Sequence, residues 1–255
     1  MKIKVSIVTV TYNCENIVED TILSIINQDY NNVEWIVVDG QSTDSTLQIF
    51  DKYKSNISKI ISEPDKGIYD AMNKGIDLVT GDYVHFMNAG DVFVNNQILS
   101  TIFNNEENNS MDVIFGDAIA QFNGFNKIFK GEMPNRSDIM NFNHQAVFVR
   151  TKWMKKIKFD LKFKICADRN FFTKLFLTEN VQFKYLNINI AKIEAIGFSS
   201  SNSFNSRKED LQIKKENMLI SDKEYRTQIN KGKVLYFIKS LLPKRILNFY
   251  YKRLT

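Results

Sequence analysis

Three apolar, β-branched runs, each closed by polar turn residues, limit what this chain can become. Lys4–Val10 (K-V-S-I-V-T-V) runs into Thr11-Tyr12-Asn13, after which Ile17, Thr21, Ile22, Ile25 and Ile26 mark one helical face. Val33–Val38 runs into Asp39-Gly40. A helix capped by Ser42 or Thr43 then carries Leu47, Ile49 and Phe50 on its apolar side. Ile57–Ile61 is the third run. Runs that are apolar on both faces are how buried parallel strands read. Strand–helix–strand alternation from the first residue predicts an α/β chain, with a mainly parallel central sheet, flanking helices and right-handed crossovers. To this point any doubly wound nucleotide-binding fold satisfies the pattern.

The stretch Ile61–Asp91 narrows the choice. The turn Glu63-Pro64-Asp65-Lys66-Gly67 launches an amphipathic segment with Ile68, Met72, Ile76 and Val79 at helical spacing. After a break at Thr80-Gly81-Asp82, Tyr83-Val84-His85-Phe86-Met87 is a short buried strand that stops at Asn88-Ala89-Gly90-Asp91. Open α/β sheets bind ligands just past the carboxyl ends of their strands. Tyr12, Asp39 and Asp91 therefore stand at three candidate ligand positions. An aspartate there can accept a hydrogen bond from a nucleobase or a ribose hydroxyl. Asp91 can hold a divalent cation by oxygen ligation, with diphosphate oxygens and water completing its shell. Taken one at a time, each is also an ordinary turn aspartate.

Charge and cysteine content exclude other classes. The formal charge is +5, but Lys231 onward holds seven Lys/Arg and no acid, so the first 230 residues stand at −2. The basicity belongs to the tail, and no nucleic-acid partner is expected for the main domain. Two distant cysteines, Cys14 and Cys166, make no disulfide framework and no metal spacing, and fit a reducing compartment. No signal peptide and no apolar run of about 18 residues is seen. Neither G-x-G-x-x-G nor G-x-x-x-x-G-K-[ST] occurs, which removes the usual dinucleotide and P-loop readings.

Four segments together resemble a family. V-S-I-V-T-V-T-Y-N, V-V-D-G-Q-S-T-D-S-T, S-E-P-D-K-G-I-Y-D-A-M-N-K-G-I and G-D-Y-V-H-F-M-N-A-G-D are similar, in order and at normal spacing, to the nucleotide-sugar half of family 2 glycosyltransferases. These are inverting enzymes of the GT-A fold, and the bacterial colanic-acid and O-antigen type is the subgroup resembled. The resemblance covers roughly the first 200 residues. It implies that Val10 and Tyr12 lie on the nucleotide side and that Asp39 contacts the nucleobase. Asp65, Lys66, Gly67 and Asn73 would border the diphosphate and sugar, together with Asn88, Ala89 and Gly90. Lys66 reads equally as a solvated turn lysine. Asp91 matches the last acid of a metal-binding D-x-D-like motif, and the resemblance implies Mg²⁺ or Mn²⁺. Here the motif has only that one carboxylate, which predicts a weak, exchangeable ion.

The second half holds a second chemical centre. Ile98–Phe103 is a short helix, and Met111–Phe115 is a strand ending at Gly116-Asp117. Ala118–Lys130 is a hairpin or a loop crossing the site. His144-Gln145 precedes the apolar run Ala146–Val149 and resembles an H-Q-A pattern on the acceptor side of the same subgroup; a histidine tied into strand-edge hydrogen bonding reads the same way. In Ile165-Cys166-Ala167-Asp168, the aspartate opens a helix with Phe171, Phe172, Leu175 and Phe176 inward. It can be a cap. The resemblance makes it the general base that takes the acceptor hydroxyl's proton, a task suited to a carboxylate because the hydroxyl turns acidic only as its bond forms.

Ile188–Ile193 is strand-like, Glu194–Ser200 reads as a flexible loop near the donor, and Arg207 to about Ile220 is helical, with Leu211, Met218 and Leu219 inward. The tail, Lys231–Arg253, alternates basic and apolar blocks around Pro243. It is expected either to lie on an anionic bilayer or to pack on the domain. The expected organisation is a catalytic domain over 1–205, divided at 110 into donor and acceptor halves, and a basic helical extension over 206–255. The expected activity is metal-dependent, hexosyl-type transfer of a sugar from a nucleotide-diphosphate donor to a hydroxyl of a glycan or lipid-linked acceptor, in the synthesis of a bacterial surface polysaccharide. The expected place is the cytoplasm, with the inner face of the cell membrane as the contact surface. The rivals are a non-catalytic nucleotide-sugar-binding module on the same fold and a membrane-associated assembly protein.

Overall fold

The computed structural model describes residues 2–122, 124–194 and 203–241. By contact the chain divides into two compact units, Met1–Gly197 and Phe198–Thr255. The first unit begins with the alternation read from the sequence: β1 (Val5–Thr11), α1 (Val18–Ile26), β2 (Val33–Asp39), α2 (Thr46–Lys52), β3 (Lys59–Ser62), α3 (Ile68–Leu78) and β4 (Tyr83–Phe86). All of β1 and β4 is buried, as is β2 after its first residue, which is why these segments read as continuous apolar runs. Strand β3 is largely exposed and closes one edge.

Mixed pairing enters in the second half, through β5 (Val92–Phe93), β6 (Val113–Phe122), β7 (Phe125–Phe129), β8 (Val147–Arg150) and β9 (Phe183–Glu194). The sheet runs β3-β2-β1-β4-β8-β6-β9-β5, with β7 paired on β6. Pairs β1–β2, β1–β4, β2–β3 and β6–β9 are parallel, while β4–β8, β6–β8, β5–β9 and β6–β7 are antiparallel. Strand β6 does not stop at Gly116-Asp117. It continues to Phe122 through register irregularities against β9, and Ala118–Phe129 forms a hairpin. Helices α4 (Ile98–Phe103), α5 (Thr151–Ile157) and α6 (Ala167–Phe176) complete the unit.

The core lies between sheet and helices. Trp35 is 2% exposed, packs its ring 6.0 Å from Phe50 and donates Nε1–H to Thr9 Oγ1. His85 on β4 is stacked between Phe93 and Phe148, at 5.1 and 4.4 Å, with Nδ1–H donating to the Val147 carbonyl. Burial holds its pKa down to about 4, so it is a neutral spacer under the site.

In the second unit, α7 (Ser203–Glu216) precedes α8 (Asp222–Leu241). A capping box starts α8: Ser221 Oγ accepts from Glu224 N, and the Glu224 carboxylate accepts from Ser221 N. Leu211 is buried as expected. Met218 is instead 89% exposed, at a positive φ of 55° past the end of α7, so it leaves the apolar side of that helix. Helix α8 runs unbroken through Lys231 to Leu241; Pro243 and the rest of the basic tail lie outside the described residues, as does the 195–200 part of the expected donor loop. Among the described residues, no helix is long and apolar enough to cross a membrane.

At the end of the sheet opposite the ligand positions, Glu34 holds strands and turn together. Its carboxylate accepts from Ser6 Oγ, from Thr80 N and Oγ1, from Gly81 N, and from Lys4 Nζ at 2.9 Å. Burial alone would raise its pKa. The donors of Ser6, Thr80 and Lys4 outweigh burial and hold it at about 2. A depressed folded-state pKa stabilises the fold above the unfolded value near 4.5, and that stability is lost as pH falls toward 2. Glu34→Gln is therefore expected to cost about 3 kcal/mol at pH 7. In thermal melts the gap between variant and parent should close between pH 4.5 and 2. A gap independent of pH would contradict this role.

Candidate active site

The carboxyl ends of β1, β2 and β3 converge on Asp39, which is fully buried. Its Oδ1 accepts from Thr11 Oγ1 (3.1 Å) and Ser42 Oγ (2.5 Å), and its Oδ2 accepts from Ser42 N (2.9 Å) and Ser62 Oγ (2.6 Å). One carboxylate thus ties three strand ends and the following loop. Four donors already surround it, so a nucleobase N–H would exchange with a serine or threonine hydroxyl. Tyr12, next after β1, is 65% exposed, and its ring lies against Gly40. Asp65 Oδ2 approaches Gly40 so closely that any Cβ there would collide with it. Tyr12, Gly40 and Asp65 therefore form one surface over the strand ends, with Val10 buried below.

The turn before α3 is self-contained. Gly67 N donates to Asp65 Oδ1 and Lys66 N donates to Asp70 Oδ2, which leaves the Lys66 side chain exposed. Tyr69 and Asn73 share one face of α3, four residues apart. Both reach into the second half. Asn73 donates Nδ2–H to the Phe159 carbonyl and accepts from Phe159 N, at 2.8 and 2.9 Å. The family resemblance implies that Asn73 borders the diphosphate and sugar. In the structure its amide is committed on both ends to backbone, and it clamps the halves together.

Past β4, Asp91 N donates to the Asn88 carbonyl, closing the turn that carries Ala89 and Gly90. Gly90 has φ +94°, where a side chain would be strained, and its N–H donates to Thr21 Oγ1. The Thr21 hydroxyl in turn donates to the Asp91 carbonyl, fixing the turn to α1. The Asp91 side chain is 7% exposed. Burial raises its pKa to about 7, against the charge of His144 and a hydrogen bond from the Gln145 side chain.

His144 and Gln145 lie in one 3-10 turn, His144–Ala146, where Asn143 caps by accepting from Gln145 N. Successive residues in such a turn diverge by about 120°. Gln145 accordingly reaches Asp91, while His144 Nδ1 lies 3.1 Å from Asp168 Oδ2. Asp168 Oδ1 accepts from the Tyr69 hydroxyl (3.0 Å) and from Arg169 N (2.8 Å). Cys166 occupies the cap position of α6, so Asp168 is not the residue that closes the helix start. Burial would raise the Asp168 pKa, but His144, by hydrogen bond and charge, and Arg169 N lower it overall. Burial would lower that of His144, but its bond to Asp168 and the charges of Asp168 and Asp91 raise it overall. His144 also lines a cleft of about 270 Å³ with Phe129, Lys130, Met140, Asn141, Phe142 and Asn143.

The oxygens around Asp91 fit a divalent cation. Asn88 Oδ1 and Gln145 Oε1 are buried without a hydrogen-bond partner. With the Asp91 carboxylate they make an oxygen set of the kind hard cations take. Among the described residues no group of three His, Cys, Asp or Glu side chains is placed to bind a metal, so amide oxygens would share the task. Sequence reasoning had no signal for Gln145 in this set.

A parallel half-sheet with acids at its carboxyl edge, joined to a mixed half bearing a paired aspartate and histidine, defines a nucleotide-sugar transferase of the GT-A type. Residues 6–180 match the family described as Glycosyl transferase family 2, and the chain belongs to that family. It is 29% identical over 198 residues to a PGL/p-HBAD biosynthesis glycosyltransferase of Mycobacterium tuberculosis, covering 75% of this chain and 77% of the relative. Over 99 residues it is 35% identical to the Escherichia coli UDP-Glc:alpha-D-GlcNAc-diphosphoundecaprenol beta-1,3-glucosyltransferase WfaP, covering 38% and 39% of the two chains. Among solved structures, Staphylococcus aureus TarS 1–349 aligns with a TM-score of 0.66 at 21% identity, over 86% of this chain and 66% of that one. The mannosyltransferase PcManGT of Pyrobaculum calidifontis, in complex with GDP-Man and Mn²⁺, aligns at 0.66 and 14% identity, over 91% and 69%. At these identities the two structures share the fold.

Because the folded chain keeps Asp91 protonated up to about pH 7, and the unfolded chain only to about 3.8, the metal-free fold loses stability as pH rises between the two. Asp91→Asn is expected to raise the melting temperature in chelator at pH 8, by roughly 2–4 °C per kcal/mol relieved, and to melt with the parent near pH 4. Mn²⁺ should stabilise the parent and leave the variant unmoved. A variant that melts lower at pH 8 would contradict the assignment.

Proposed function

We propose that the chain transfers a sugar, with inversion, from a nucleotide-diphosphate donor to a hydroxyl of a glycan or lipid-linked acceptor, in the synthesis of a bacterial surface polysaccharide or glycolipid. The observation that carries this reading is the position of His144. It hydrogen-bonds to Asp168 and lies near enough to Asp91 for their charges to interact, which links the candidate proton acceptor to the candidate metal ligand. The names of the mycobacterial and E. coli relatives support the acceptor class.

In this reading Tyr12 stacks on the base, and Asp39 receives a nucleobase N–H in exchange for one of its hydroxyl donors. Gly40, Asp65, Lys66 and Gly67 flank the donor, as do Ala89 and Gly90. Asp91, with the amide oxygens of Asn88 and Gln145, would hold Mg²⁺ or Mn²⁺. When bound, the cation supplies positive charge against the departing diphosphate. The acceptor enters by the cleft at His144. Its oxygen attacks the anomeric carbon from the face opposite the diphosphate, and its proton passes to the Asp168–His144 pair. The transition state has oxocarbenium character.

The test is a panel of nucleotide-diphosphate sugars, read by nucleoside-diphosphate release and transfer to a short acceptor. One donor should support turnover. Asp168→Asn keeps shape and removes the carboxylate's charge, so transfer should fall by about 10²–10⁴ at near-parental donor affinity. Parental turnover of that variant, under conditions where chemistry limits the rate, would overturn the role of the pair.

A further inference from the structure

The hairpin Ala118–Phe129 starts in the core and leaves it. Opposed residues of an antiparallel pair share a face. Ala118 and Phe129, Ala120 and Lys127, and Phe122 and Phe125 therefore stand on one side, and Ile119 and Ile128 on the other. Ala118 and Ala120 are buried, yet every residue of β7 is exposed, with Phe125 at 49%, Ile128 at 51% and Phe129 at 42%. Phe125 stacks on Phe122 at 4.7 Å, and the Lys127 ammonium lies over the Phe129 ring. Met133, just past the strand, is exposed as well. From Ala118 to Gly131 the charges are Lys127 and Lys130, with no Asp or Glu. The flanking acids are engaged: Glu132 accepts from Asn141 Nδ2, and buried Asp117 accepts from Gly131 N and the Tyr185 hydroxyl. Contiguous exposed apolar side chains of this kind mark an interaction surface.

We propose that this hairpin is a docking surface for an anionic bilayer, with Phe125, Ile128 and Phe129 at the boundary of headgroups and acyl chains and Lys127 and Lys130 against lipid phosphate. The charge pattern selects that occupant: basic residues interleaved with apolar ones, and no acid among them, complement an anionic interface. Lysine stems can lie along apolar surface while their ammonium groups reach the phosphates. Exposure on both faces of β7 selects it too. A protein laid on one face of the hairpin would leave the other in water, whereas a bilayer interface surrounds both. Among the described residues β7 pairs with β6 alone, so its outer backbone groups need water or headgroups, which keeps the hairpin out of the hydrocarbon centre. Phe129 and Lys130 also line the cleft that holds His144. The proposal rests on the sugar-transfer reading with a lipid-linked acceptor and names the surface on which that acceptor is met. Such an acceptor keeps its tail in the bilayer while its hydroxyl enters the cleft, so the mouth of the cleft must lie at the membrane.

The experiment mixes full-chain Ile128→Trp and Phe125→Trp with phosphatidylglycerol–phosphatidylcholine vesicles, with no donor present. The emission added to that of the parent should move to shorter wavelength and be quenched by bromine-labelled lipid, and both changes should fade in high salt. The double variant Lys127→Glu/Ile128→Ser, checked for a parental melting temperature, tests the consequence. It should transfer to a lipid-linked acceptor in those vesicles about tenfold or more slowly, and to a short soluble acceptor at the parental rate. Unchanged emission from variants that sediment with the vesicles would place the membrane contact elsewhere and overturn the proposal, as would failure to bind the vesicles at all. A shift to shorter wavelength without vesicles, growing with protein concentration, would overturn it in favour of a second copy of this chain. A parent that transfers from no donor would overturn the sugar-transfer reading by itself, since the vesicle measurement needs no donor.

Discussion

Three segments meet on the carboxylate of Asp168. Tyr69 comes from the first turn of α3 in the parallel half, His144 from the 3-10 turn before β8, and Arg169 N from α6 itself. Asn73, one turn along α3 from Tyr69, grips the Phe159 backbone on both sides. Phe159 packs on Tyr69, Phe86 and Phe171 at ring distances of 5.4–5.6 Å. The position of Asp168 relative to the strand ends is thus fixed by a polar pair backed by aromatic packing. In the proposed reaction a displacement of about 1 Å between reacting groups would cost of order 10²-fold in rate, so the clamp would serve that chemistry as well as the fold.

The two ends of the parallel half treat buried acid in opposite ways. Glu34, away from the site, is met by donors from two neighbouring segments, Lys4–Ser6 and the Thr80-Gly81 turn, and is held ionised to about pH 2. Asp91, at the candidate site, is equally buried, has Gln145 as its side-chain donor and is raised to about pH 7. Stability is concentrated where no ligand comes, and unsatisfied oxygen where one would. Active sites commonly carry such a local cost. His85 shows the same economy of charge: it is enclosed by Phe93 and Phe148 and kept neutral, so it adds no positive charge to the core.

Much of this was legible in the sequence because the parallel half is regular. Strands buried on both faces leave continuous β-branched runs, and their polar stops put Asp39 and Asp91 at the carboxyl edge of the sheet before any contact is known. The less legible features depend on through-space partners. Asn73 looks like a polar residue on a helix and proves to be a backbone clamp. Gln145 follows His144 in sequence and points elsewhere, because a tight turn separates them by a third of a rotation. Strand β5 has two residues, too few for any periodicity, and β6 runs through a Gly-Asp pair that reads as a stop. Met218 fell on the apolar side of an idealised helix that ends before reaching it.

A single backside displacement at the anomeric carbon is the claim on which the whole account converges, since it requires donor and proton acceptor on opposite faces of the sugar. The direct measurement is proton NMR of the newly formed glycoside, taken early in the reaction with the donor that supports turnover. The account expects an anomeric coupling of the configuration opposite to that of the donor sugar. A product that keeps the donor's configuration would contradict it.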